Sequence, residues 1–196
     1  MQTLTRARLL RSGAAAALAA SGAGALARSA AADAPSDADL AYARLLVAAD
    51  LLAADFYAQA LAAKQFGPPV TKALQHAAFN EQEHYTAVSG VLTAAGQTPA
   101  TADDIDFSYP AKAFADKGSI AKLGVAIEQL QLGAYLGAAD VVQSEPLRGI
   151  ATRIAANEAQ HVSLFTGLLE DRLLGVSLPL PLAIGDASNA LGAYTS

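Results

Sequence analysis

The chain has no cysteine. Disulfides, thiolate metal sites and lipid attachment through cysteine are therefore excluded, leaving histidine and carboxylates as the only candidate metal ligands. Charge is also sparse, at 16% of 196 residues against 53% hydrophobic, a balance that suits one domain with a buried core. β-Branched residues are few among the runs of alanine and leucine, and no segment sustains the alternation of a half-buried strand. The chain is read as all-α. Basic residues run short as well. All 18 acidic residues lie from Asp33 onward, where only nine of the 13 basic ones do, so that part carries a net −9 and nucleic acid is not expected as a partner.

At the amino terminus, Arg6, Arg8 and Arg11 precede a weakly apolar stretch from Ser12 to Ala27, and Ser29-Ala30-Ala31-Ala32 offers small-residue cleavage sites. This layout predicts an export signal over residues 1–32 and a mature start between Ala31 and Asp33. Thr5-Arg6-Ala7-Arg8-Leu9-Leu10-Arg11 resembles a twin-arginine signal with Ala7 in place of the second arginine. A transmembrane anchor is the competing reading, but the stretch is short and glycine-rich where about 20 strongly apolar residues are needed. The protein is expected to be periplasmic or extracellular, meeting the membrane only at the export machinery.

Four helical segments are predicted in residues 33–174. The first runs from about Asp37 to Phe66, stopping at Gly67-Pro68-Pro69, and the second from there to about Gly96. Residues 97–118 show no helical period and are read as a long connection. The third helix runs from Ser119, read as its cap, to Val142, and the fourth from Pro146 to about Leu173. Two tight links and one long one give two antiparallel hairpins joined by a crossover between helices two and three. Residues 175–196, with Leu178-Pro179-Leu180-Pro181, are read as a tail without a fifth packing helix.

Only six glutamates and three histidines occur, yet two histidines lie three residues after a glutamate: Glu81-Gln82-Glu83-His84 and Glu158-Ala159-Gln160-His161. On a helix, positions i and i+3 share a face, so each motif aims a carboxylate and an imidazole at one point. Both motifs fall on apolar stripes, and so do Asp50 on helix one and Glu128 on helix three. Four buried carboxylates without a cation would cost several kcal/mol each. Two divalent cations would neutralise them. By contrast, Glu83 and Asp55 are assigned to solvated faces and His76 is read as a surface or satisfied histidine, while Tyr85 and Tyr135 are assigned to ordinary aromatic packing, with electron relay or a hydrogen bond to a ligand as the alternative.

The full set of Asp50, Glu81, His84, Glu128, Glu158 and His161 resembles the ferritin-like superfamily of four-helix di-iron carboxylate proteins, over about residues 37–173. Ala53-Ala54-Asp55-Phe56-Tyr57, Phe107-Ser108-Tyr109-Pro110 and Gly133-Ala134-Tyr135-Leu136-Gly137 resemble exported bacterial ferritin-like proteins, some akin to desiccation-related proteins. The resemblance implies that Glu81 and Glu158 bridge two ions, that His84 and His161 each ligate one, and that Asp50 and Glu128 are terminal ligands. Aspartate in place of the usual first-helix glutamate is a departure. The resemblance further implies two iron or manganese ions and redox chemistry with dioxygen or peroxide, of ferroxidase, peroxidase or catalase type. A non-catalytic, stress-protective protein using metal as a staple is the alternative. Storage in a cage is disfavoured for want of a fifth helix, while a homo-oligomer stays open.

Overall fold

The structure, a computed structural model, describes residues 34–170 and 176–195. The predicted export segment and the predicted end of the fourth helix lie outside them. Within them are four long helices, α1 (Asp37–Ala62), α2 (Pro68–Ala94), α3 (Lys117–Val141) and α4 (Glu145–Glu170), and a short α5 (Ile184–Gly192). The only β pairing among the described residues is an isolated bridge between Phe107 and Thr195.

The helix boundaries follow from local chemistry. Ser36 accepts a hydrogen bond from the Asp39 amide, and the Asp39 carboxylate accepts one from the Ser36 amide, a capping box that starts α1. Helix α1 stops at Ala62, short of the predicted Phe66, because Lys64 turns left-handed (φ 53°) and its amide bonds back to Leu61. Pro68 and Pro69 open α2, where a missing amide hydrogen costs nothing. Its end is a Schellman motif: Gly96 (φ 75°) lets the Gln97 amide reach Leu92 and its own amide reach Thr93. Helix α3 is capped by Asp116 and not by Ser119, whose amide and hydroxyl both donate to the Asp116 carboxylate.

Side-chain pairs give the helix directions. Along α1, Asp39 meets the backbone at Gln143 and Ser144, Asp50 meets Tyr135, and Tyr57 meets Glu128, so α1 and α3 run antiparallel. The links of residues 63–67 and 142–144 close two hairpins, and residues 95–116 form the crossover. Tyr85 donates to the carbonyl of Ala100 and so ties the crossover down, away from the interior. Asp55, assigned to a solvated face, is instead half-buried and accepts hydrogen bonds from Tyr109 of the crossover and from Gln59.

The tail departs from expectation. Once past Pro179 and Pro181 the chain forms α5, which packs on α1 and α3 through the buried Ala187 and Leu191, one turn apart. The strap before it lies directly on α3: the Leu182 amide donates to the Gly133 carbonyl, and a Cβ at Gly137 would collide with the Leu182 carbonyl. The ground for disfavouring a storage cage thus falls away in part, since a fifth helix exists, although it has only nine residues. Within the apolar core Phe56, Tyr57 and Phe165 are in mutual ring contact.

Candidate metal centre

The four long helices each bring one carboxylate to the middle of the bundle. Asp50, Glu81, Glu128 and Glu158 are all 0% exposed, and His84 and His161 are 7% and 4% exposed. Their side chains converge. Glu158 Oε1 lies 2.9 Å from His84 Nδ1, and Glu81 Oε1 lies 3.0 Å from His161 Nδ1. Three longer approaches complete the set: His161 Nδ1 to Glu128 Oε2 and to Glu158 Oε2, each 3.4 Å, and His84 Nδ1 to Glu81 Oε2, 3.5 Å.

In both Glu81 and Glu158, therefore, one carboxylate oxygen faces one histidine and the second oxygen faces the other. Two clusters result, Glu81, Glu128, Glu158 and His161 on one side and Asp50, Glu81 and His84 on the other, with the donor atoms of each within 4.8 Å of one another.

These approaches lack hydrogen-bond geometry. Glu81 Oε1, Glu128 Oε2, both oxygens of Glu158 and Nδ1 of both histidines are buried without a hydrogen-bond partner among the described residues. An unmet buried polar group costs about 1–3 kcal/mol, and more if charged. The distances suit a different arrangement. Two ligands at right angles on a cation at about 2.1 Å stand about 3.0 Å apart, so 2.9–3.5 Å is the edge length of a coordination polyhedron. The donor set of each cluster thus fits a metal ion.

Surrounding groups hold the ligands in place. Tyr135 donates to both oxygens of Asp50 at 2.6 and 2.8 Å, and Tyr57 donates to Glu128 Oε1 at 2.5 Å. Tyr135 is thus more than the packing aromatic expected of it. Gln131, wholly buried, donates to Glu81 Oε2 at 2.7 Å, and the Asn80 amide meets His161 Nε2 at 3.2 Å. Sequence reasoning missed Tyr57, Gln131 and Asn80 in these roles, although signals were present. Each tyrosine lies seven residues after a terminal carboxylate, Gln131 lies three after Glu128, and an asparagine precedes the glutamate in both motifs. His76 and Glu83 are exposed.

Electrostatics report the same crowding. Burial, with the Glu81 charge added, pushes Asp50 well above the carboxylate range, and burial does the same to Glu128. Burial would lower the histidines, but Glu158 and Glu81 facing the ring raise His84 to about 10, and Glu128, Glu158 and Glu81 raise His161 to about 12. For Glu158 burial opposes ionisation, and the two imidazolium groups override it, holding the carboxyl at about 2. Protons thus supply the positive charge when no cation does.

Residues 38–171 match the ferritin-like domain family, and the chain belongs to that family. No curated relative matches it. Family membership and the buried acid and histidine cluster together make the interior a metal-compatible centre in a ferritin-like helical bundle.

Proposed function

We propose that this is an exported di-metal protein whose centre holds two iron or manganese ions and acts on dioxygen or hydrogen peroxide, as a ferroxidase, peroxidase or catalase. The observation that carries this reading is the set of six buried donor atoms that face one another without a hydrogen-bond partner among the described residues, which a merely polar core would not leave unmet. In the proposed assignment Glu81 and Glu158 would serve both ions, with His84 and Asp50 completing one set of ligands and His161 and Glu128 the other. Oxygen-rich coordination with one imidazole per ion suits iron or manganese better than structural zinc. Two such ions would supply the two electrons that, with two protons, reduce hydrogen peroxide to water.

The remaining work falls to the chain itself. Tyr57 and Tyr135 fix the Glu128 and Asp50 carboxylates, Gln131 fixes that of Glu81, and burial keeps all three from solvent. The second reading, metal as a staple in a stress-protective protein, draws on the near-complete burial of the ligands, which suits an ion held for stability.

Metal analysis of protein purified from its own host, with amino-terminal sequencing, comes first. A peroxide-consumption assay follows. Two iron or manganese ions per chain with peroxide turnover support the catalytic reading, and tightly bound but inert metal supports the staple. Protein without metal refutes both, and an intact Met1 on cytoplasmic material refutes export.

A further inference from the structure

We infer that the cleft between α2 and α4 is the port through which a divalent cation reaches the Asp50–Glu81–His84 position, with His84 as its gate and Asn157 as the latch of that gate. The inference rests on the di-metal reading above. The cleft measures about 400 Å³ and has Asn80, Glu83, His84 and Ala87 on its α2 wall and Arg153 and Asn157 on its α4 wall. His84 is the only one of the six candidate ligands that lines it, and the most exposed of them, at 7%. Asp50 and Glu128, on the helices that α5 and its strap cover, are 0% exposed.

The two histidines are held differently. Asn80, preceding Glu81, meets Nε2 of His161 across the helix pair, whereas Asn157, preceding Glu158, makes no hydrogen bond to His84 among the described residues. Asn157 and His84 nevertheless line the same cleft. Binding a cation through Nδ1 leaves the proton of His84 on Nε2, and a carboxamide oxygen is the acceptor it needs. His84 is held at Nδ1, 2.9 Å from Glu158, and makes no hydrogen bond at Nε2 among the described residues. Beside the apolar Ile150 and Ile154, the port is lined by Glu83, Asn80 and Asn157, residue types whose oxygens suit a dehydrating cation. Arg153, exposed on the opposite rim, opposes cation approach.

The test follows uptake of Co²⁺ by metal-free protein in a stopped-flow spectrometer, through the visible absorption of the bound ion. Asp50→Ala identifies the phase belonging to the Asp50–His84 position. Ala87→Trp, one turn beyond His84, is expected to slow that phase about tenfold, with two ions still bound at equilibrium. Arg153→Glu is expected to accelerate it severalfold, an effect that salt suppresses. This second variant changes an exposed residue, so it decides alone if Ala87→Trp fails to fold. Asn157→Ala should speed release of the same ion to a chelator and leave the other unchanged. A wild-type uptake rate in a folded Ala87→Trp or in Arg153→Glu overturns the port, and a wild-type release rate in Asn157→Ala overturns the latch. Should the wild-type chain take up no cobalt, the di-metal reading fails, and the port with it.

Discussion

The α1–α2 hairpin and the α3–α4 hairpin carry the same series of groups and use them unequally. The first supplies Asp50, Tyr57, Asn80, Glu81 and His84, and the second Glu128, Tyr135, Asn157, Glu158 and His161. Each tyrosine serves the other hairpin's carboxylate, and each bridging glutamate faces the other hairpin's histidine. Three differences then fall on one position. Asp50 is one methylene shorter than Glu128. Gln131 stands on α3 where α1 has Ala53, and it donates to the Glu81 oxygen that faces His84. His84 lacks the asparagine contact that His161 has. A nearly two-fold scaffold therefore presents two unlike clusters, and on the proposed di-metal reading the two ions would be inequivalent, because ligand reach and outer hydrogen bonds are set residue by residue while the helices stay alike.

The sharpest way to break the likeness is at the shared groups. Glu81→Ala or Glu158→Ala removes an oxygen from each ion, and calorimetric titration with ferrous iron should show both binding steps lost, on the order of 1,000-fold or more. Normal two-ion binding in both variants would end the di-metal reading.

The outer contacts come next. Tyr135→Phe strips both hydrogen bonds from Asp50, and Tyr57→Phe strips one from Glu128. Each should weaken its own ion about 10–100-fold and spare the other. Equal losses at both steps would mean the tyrosines act on the bundle as a whole.

Asp50→Glu tests the asymmetry itself. Restoring the missing methylene should tighten the weaker step by about tenfold and bring the two steps together. If the wild-type titration already shows one step with two equivalent ions, the inequality is wrong.

Smaller effects concern the metal-free protein. His84 and His161, raised to about 10 and 12, contribute stability that is complete below the unfolded histidine range near 6.5 and is lost as pH climbs through the folded values. Tm of the metal-free chain should therefore fall between pH 7 and 10, by several degrees, while the loaded chain changes little. A flat metal-free profile would contradict the ion pairing. The smallest expected effect is a control far from the centre. Asp39 joins the start of α1 to the α3–α4 link through the Gln143 and Ser144 amides, so Asp39→Ala should cost about 1–2 kcal/mol in chemical unfolding and leave ion stoichiometry at two.

Much of the bundle was legible because its signals are local. Helix periodicity, the Gly67-Pro68-Pro69 break and the length of the connection read over 97–118 define four helices and the crossover without any tertiary information. Errors clustered where nearby residues compete. Ser119 and Asp116 are both good caps, and only backbone geometry shows that Asp116 takes the role. Lys64 ends α1 through a left-handed turn that a lysine seldom adopts. In the tail, two prolines concealed nine residues of helix whose burial depends on α1 and α3.

By itself the sequence determined the four long helices and which acids and imidazoles they carry on their inner faces, since both follow from spacing along one helix. Only the tertiary structure decided which oxygen of Glu81 and Glu158 faces which histidine, that each tyrosine holds the opposite hairpin's carboxylate, and that His84 borders a cleft while His161 is clamped. These are distances between helices, fixed by the crossing and axial offset of packed side chains, and spacing within a helix carries no information about them.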